Sequence, residues 1–107
     1  MITILAAGRG AAALALEAVA AGRPSLEVMT AEDDEEVLDK LARNRRIDAV
    51  ILMPGPGAAA LAAAIREEDP AGPPVYGWGD AAAIDGVHGL AAKDAEQAIE
   101  EMVRALS

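Results

Sequence analysis

The 107-residue sequence contains no cysteine and no phenylalanine, one histidine, and only two aromatic residues, Tyr76 and Trp78. Without cysteine, the chain can form no disulfide, no thiolate nucleophile and no thiolate metal site, and with one histidine we expect no metal centre. Because bulky aromatic side chains are so few, the core must be built from aliphatic residues.

Basic residues are also scarce, with 9 Lys and Arg against 18 Asp and Glu, which gives a net charge of −9. This charge opposes binding to nucleic acid and to anionic membranes, so we expect neither as a partner. The start of the chain lacks the basic segment of a signal peptide, and no apolar run reaches the ~18 residues that a membrane span needs. We therefore expect a cytoplasmic protein.

What the sequence does contain is a large apolar fraction, 53%, and about a quarter of its residues are alanine. A chain of this length corresponds to one domain, residues 1–107, and is long enough to bury one core. We expect Leu, Ile, Val and Met to carry most of that core, because each alanine buries little area.

Strand and helix patterns alternate along the chain. Strands are predicted at residues 2–5, 25–30, 48–53, 75–78 and 86–90. Helices are predicted at 11–21, about 33–46, 58–68 and 94–106, with room for only one helical turn at 81–85. This order predicts an α/β three-layer sandwich with a parallel sheet of flavodoxin-like order 2-1-3-4-5, in which the second strand is an edge.

Any site should lie where the first and third strands end, because the loops after them meet at the switch point of such a sheet. The loops concerned are residues 6–10, 53–57, 77–80 and 91–93. Glycine turns in two of these loops could offer backbone N–H groups to an anion. The residues of this possible anion site are Gly8, Arg9, Gly10, Gly55, Gly57 and Lys93.

Four segments, in order and in register, resemble the receiver domains of bacterial two-component response regulators. They are LEVMTAE at 26–32, IDAVILMPG at 47–55, IREEDP at 65–70 and GVHGLAAK at 86–93. The resemblance covers essentially the whole chain and implies the receiver fold. The spacing between Gly79 and Lys93 is shorter than receivers usually show, so we expect the fourth helix to be nearly absent.

The resemblance also assigns the positions of the receiver's phosphoryl-acceptor site. A receiver has two acidic residues that hold Mg²⁺, an aspartate that accepts the phosphoryl group, and a Ser/Thr and a Lys that respond to it. The corresponding positions in this sequence are Ala6, Ala7, Met53, Gly79 and Lys93. Only the lysine is kept, so we predict a degenerate receiver in which phosphotransfer is lost.

The first helix is a candidate partner face, because residues 11–21 contain a single charge, Glu17. Its apolar residues Leu14, Leu16 and Val19 could dock another helix. Receivers commonly meet their kinases and phosphotransferases at this helix, so the resemblance implicates the same face.

We therefore predict a phosphorylation-incompetent, receiver-like regulatory module that acts in signalling through a protein partner or self-association. We expect no catalysis and no cofactor. The alternative is a protein that binds a small anionic ligand, a nucleotide or a flavin, in the crevice after the first and third strands, where Trp78 and Tyr76 could stack on a flavin ring. A third possibility is a domain of a larger regulator.

Overall fold

The computed structural model contains a five-stranded parallel sheet in the order β2-β1-β3-β4-β5. It describes residues 2–8, 11–44, 46–53, 57–68, 70, 72–84 and 86–106, with the backbone alone for residues 11–13. The strands are β1 (Ile2–Ala7), β2 (Leu26–Ala31), β3 (Ala49–Leu52), β4 (Val75–Gly77) and β5 (His88–Gly89). The helices are α1 (Ala11–Ala21), α2 (Asp34–Arg43), α3 (Ala58–Glu68) and α4 (Ala95–Leu106), with a 3-10 helix at Gly79–Ala83. The predicted flavodoxin-like order is confirmed, with β2 at one edge.

The core has two parts because the central strands β1 and β3 are buried on both faces. Alternate residues of these strands point to opposite sides of the sheet. Those on the side of α1 and α4 form the first core cluster, which contains Ile4, Ala6, Leu16, Ile51, Met53, Ile99 and Met102 among others. Those on the side of α2 and α3 form the second core cluster, which contains Leu5, Ala7, Val37, Val50, Leu52, Leu61 and Ile65 among others. The core is aliphatic, as the composition predicts.

The helices α2 and α4 each begin at an aspartate cap. The carboxylate of Asp33 accepts a hydrogen bond from the Glu36 N–H at 2.8 Å, and that of Asp94 accepts one from the Gln97 N–H at 2.9 Å. These bonds satisfy N–H groups that a helix start leaves without a partner. The helix α2 ends at Arg43, earlier than predicted, so Arg46 lies beyond it.

The predicted shortening of the fourth helix is confirmed, and two paired glycines explain how the sheet accommodates it. Gly77 of β4 and Gly89 of β5 are register partners. A Cβ atom on Gly77 would overlap the Ala81 carbonyl and lie 2.8 Å from Val87 Cγ1. A Cβ atom on Gly89 would lie 2.8 Å from the Ala82 carbonyl oxygen. The backbone of the 3-10 helix therefore lies directly against the sheet, where a regular helix would stand away from it on side chains.

No helix among the described residues combines the length and the apolar character needed to cross a bilayer.

We expect Gly77→Ala to lower the free energy of unfolding by roughly 2 kcal/mol or more, because the added methyl group has no space and the 3-10 helix must move. Gly22→Ala is the matched control. An added Cβ there meets only the Val19 carbonyl oxygen, at 3.6 Å, so we expect a change below about 1 kcal/mol. Urea unfolding of both variants measures the difference, and equal effects would contradict the close packing at Gly77.

Candidate functional site

The loops after β1, β3, β4 and β5 meet at the carboxyl end of the sheet, as predicted. The Met53 N–H donates to the Ala7 carbonyl at 3.1 Å, and the Trp78 N–H donates to the Leu52 carbonyl at the same distance. The Leu90 N–H donates to the Gly77 carbonyl at 2.9 Å. These bonds continue the parallel ladder past the strand ends and place the first described residues of the four loops side by side.

Ala6 and Ala7, the positions that the receiver resemblance gives to the two acidic residues, are both buried. Ala6 is 0% exposed and belongs to the first core cluster, whereas Ala7 is 4% exposed and belongs to the second. Ala7 lies between Ala31 of β2 and Leu52 of β3. Two methyl groups at this place add to the core and offer no oxygen to a cation.

Met53, to which the receiver resemblance gives the phosphoacceptor position, is only 5% exposed and belongs to the first core cluster. Its side chain lies against the backbone of Gly8. A Cβ atom on Gly8 would approach Met53 Cβ to 2.8 Å and Cγ to 2.9 Å. Gly8 also has a φ of +139°, which residues with a side chain rarely adopt. The glycine after β1 thus allows the thioether to fill the end of the sheet.

Gly79 and Lys93, the remaining positions of the receiver site, are both exposed. Gly79 is the first residue of the 3-10 helix and carries no hydroxyl group. Lys93 lies between β5 and α4, and its backbone N–H donates to Gln97 Oε1 at 2.9 Å. Asp80, next to Gly79, is also exposed. Among the described residues, no three His, Asp or Glu side chains are grouped so that they could hold a metal ion.

The segment Ala91–Lys93 is held by three side chains, which the sequence reasoning missed. The Ala91 N–H donates to Glu101 Oε2 at 3.2 Å, and the Ala92 carbonyl accepts from Trp78 Nε1 at 3.1 Å. With the bond from the Lys93 N–H to Gln97, three consecutive residues are fixed, one by Trp78, which directly follows β4, and two by side chains of α4. We call this arrangement the pinned loop. Only Gln97 carried a sequence signal, since it stands three residues after the cap Asp94, as in a capping box.

Part of the possible anion site lies outside the described residues, namely Arg9, Gly10 and Gly55. Of the rest, Gly57 is exposed, and its carbonyl accepts the Leu61 N–H of α3 at 3.0 Å. Gly8 is covered by Met53, as described above. Trp78, considered for stacking on a flavin, packs against the first core cluster and donates its indole N–H to the pinned loop.

The predicted partner face on α1 requires a correction. Leu16 is 0% exposed and belongs to the first core cluster, so it cannot contact a partner. Val19 is half-buried and packs against the same cluster. Leu14 is 67% exposed, and no other large hydrophobic side chain that the structure describes is exposed. Among residues 14–21, where the structure describes the side chains of α1, the exposed ones are therefore Leu14, Glu17, Ala18 and Ala21.

Comparison with known proteins identifies the fold. No model of a protein family matches the chain, and no curated protein matches it. Among solved structures, one match comes from the crystal structure of the phosphorylated P1 domain of CheA3 in complex with CheY6 from R. sphaeroides. It has a TM-score of 0.72 and 17% identity, and covers 98% of this chain and 96% of that one.

A second match is the solution structure of the apo receiver domain of nitrogen regulatory protein C, with a TM-score of 0.71 and 25% identity. It covers 98% of this chain and 93% of that one. The chain is a receiver-like domain. Its sheet order and nearly complete coverage agree with the resemblance found in the sequence.

We expect Met53→Asp to destabilise this receiver-like domain by roughly 3 kcal/mol or more, because a buried carboxylate without a partner loses its hydration. Met53→Leu is the control, and should cost less than about 1.5 kcal/mol because it keeps an apolar side chain of similar volume. Chemical unfolding of both variants provides the comparison. If Met53→Asp were as stable as Met53→Leu, the apolar description of this end of the sheet would be wrong.

Proposed function

We propose that this receiver-like domain is a regulatory module of signalling that acts by contact with other proteins and does not take up a phosphoryl group. The observation that carries the proposal is Met53, which stands at the phosphoacceptor position and is buried against Gly8. A thioether in this position has no oxygen with which to attack a phosphorus atom.

The chemistry of phosphotransfer supports the same proposal. A carboxylate must act as the nucleophile, and a divalent cation must balance the negative charge on the phosphoryl oxygens. Ala6 and Ala7 supply neither of the acidic ligands that receivers use to hold the cation. Lys93 keeps a positive charge near the site, but a cation alone accepts no phosphoryl group.

A role in protein contact is supported by the exposed face of α1. Leu14 projects from a helix whose described neighbours on that face are Glu17, Ala18 and Ala21. An exposed leucine on such a smooth surface is a candidate anchor for a partner helix. The CheY6 structure that matches this fold is itself a complex with another protein, the P1 domain of CheA3.

We infer a regulatory and not a catalytic role, because the solved structures that share the fold are receiver domains. The pinned loop supports an output that does not depend on chemical modification. Its three hydrogen bonds join the segment Ala91–Lys93 to side chains of the same chain, and these bonds hold the backbone next to the Lys93 side chain.

We expect no phosphoryl site to be detected by NMR. The amide signals of Met53, Gly79 and Lys93 should not move when isotope-labelled protein is titrated with Mg²⁺ and then with beryllofluoride, which mimics an aspartyl phosphate. Mg²⁺ alone should cause only weak shifts at exposed carboxylates such as Glu32 and Asp34. Shifts at Met53 that saturate near stoichiometric beryllofluoride would overturn the proposal.

We expect Leu14→Lys to abolish partner binding while leaving stability within about 0.5 kcal/mol, since the side chain is exposed. Ala105→Lys, at an exposed position on α4, adds the same charge away from this face and is the control. Proteins that co-purify with the tagged wild-type chain are identified by mass spectrometry, and binding to each purified candidate is then measured with both variants. Equal binding by Leu14→Lys and Ala105→Lys would remove α1 as the partner face.

A further inference from the structure

A groove of about 580 Å³ opens at the amino end of the sheet, opposite the loops that carry Met53 and Lys93. Its volume lies within the range of small-molecule sites, roughly 300–1,000 Å³. The proposed function uses none of its polar lining residues, which are Thr3, Glu27, Asn44, Arg46 and Asp48.

The groove opens where α2 ends. The Asn44 N–H and its side-chain Nδ2 both donate to the Lys40 carbonyl, at 2.9 and 3.0 Å, and close the last turn of the helix. The Ile47 N–H then donates to the Asn44 carbonyl at 3.3 Å, which turns the chain toward β3. Arg46 lies on this turn and borders the groove. The position of its charge is therefore set by the end of the helix.

Two carboxylates line the groove on either side of Thr3. Glu27 of β2 is the register partner of Thr3. On the other side, the Asp48 N–H donates to the Thr3 carbonyl at 2.7 Å, and the Thr3 N–H donates to Asp48 Oδ2 at 2.8 Å. Because neighbouring strands are ~4.8 Å apart, the Cα atoms of Glu27 and Asp48 are separated by about 10 Å. The two negative charges thus belong to one groove but do not share one point.

The three charged side chains of the groove are not paired within the described part of the chain. Arg46, Glu27 and Asp48 are all exposed, and none of them forms an ion pair with a residue that the structure describes. A ligand therefore has no internal ion pair to break when it binds here. The groove offers one positive and two negative groups, with a net charge of −1.

Free arginine and free lysine carry the opposite set of charges at neutral pH, namely one carboxylate and two cationic groups. The carboxylate matches Arg46, whose planar guanidinium can hold it through two parallel hydrogen bonds. The α-ammonium and the side-chain cation match Glu27 and Asp48. These two cations are separated by the length of the ligand side chain, just as the two carboxylates are separated by Thr3.

We propose that this groove binds a free basic amino acid, with the ligand carboxylate on Arg46 and its two cationic groups on Glu27 and Asp48. The site does not rest on the proposed signalling role, since it lies at the other end of the sheet from Met53. Binding is weak, with a Kd on the order of 1–10 mM, because the charges on the protein are exposed and exposed ion pairs contribute little.

Amide NMR of the isotope-labelled chain tests the ligand. The titration is made at about 0.15 M salt, which largely screens the attraction of cations to the net charge of the whole chain. With L-arginine or L-lysine, the signals of Thr3, Glu27 and Asp48 should move and saturate. Citrulline has the shape of arginine with a neutral side chain, and agmatine is arginine without its carboxylate. Each should bind about fivefold more weakly, or less well still, because it lacks one of the three charges.

Two results of this titration overturn the proposal. The first is a set of signals that move without saturating, which indicates only diffuse attraction to an acidic surface. The second is equal binding of agmatine and arginine, which shows that the carboxylate is not recognised.

Variants of the groove test the residues. Arg46→Gln and Glu27→Gln should each weaken arginine binding by about fivefold or more, and both should remain folded because the side chains are exposed. Arg104→Gln and Glu96→Gln make the same charge changes at exposed positions on α4 and should bind arginine as the wild type does. If the groove variants bind as tightly as these two controls, the site is not in this groove.

Discussion

The central strand pair β1 and β3 is buried on both faces, and this burial constrains the rest of the molecule. Each residue near the carboxyl ends of these strands points into one of two aliphatic clusters, so a polar side chain there needs a compensating charge. With Ala6, Ala7 and Met53 in place, no compensation is needed. The carboxyl end of this strand pair is therefore stabilised by apolar packing.

This constraint bears on the proposed absence of phosphotransfer. In a receiver site, three carboxylates lie close together, where two of them hold Mg²⁺ and the third accepts the phosphoryl group. In this chain the residue that the resemblance gives to the acceptor position, Met53, packs its side chain against Gly8. The pinned loop is likewise held by the chain itself. Trp78, Gln97 and Glu101 bond to the backbone of Ala91–Lys93.

The sequence predicts the helices better than the sites. The bounds of α1 and α3 follow from the glycine and proline residues on either side, which end helices. Those of α4 follow from its aspartate cap and its inward-facing Ile99 and Met102. Leu16 was wrongly assigned to the partner face because α1 has almost no polar residues, and a helix without a polar stripe gives no sign of which side is buried. The contacts of Trp78 and Glu101 could not be predicted from the sequence. Trp78 bonds to Ala92, 14 positions away, and Glu101 bonds to Ala91, 10 positions away, and both contacts depend on how separate elements pack together.

The scarcity of aromatic residues has an optical consequence. Trp78 is the sole tryptophan, and its indole N–H is bonded to Ala92 at one end of the molecule, beside the segment that carries Lys93. Its emission therefore reports on the β4 and β5 loops and hardly on the opposite edge at β2. A change in tryptophan fluorescence is therefore a local signal, and events at the β2 edge of the sheet do not alter it.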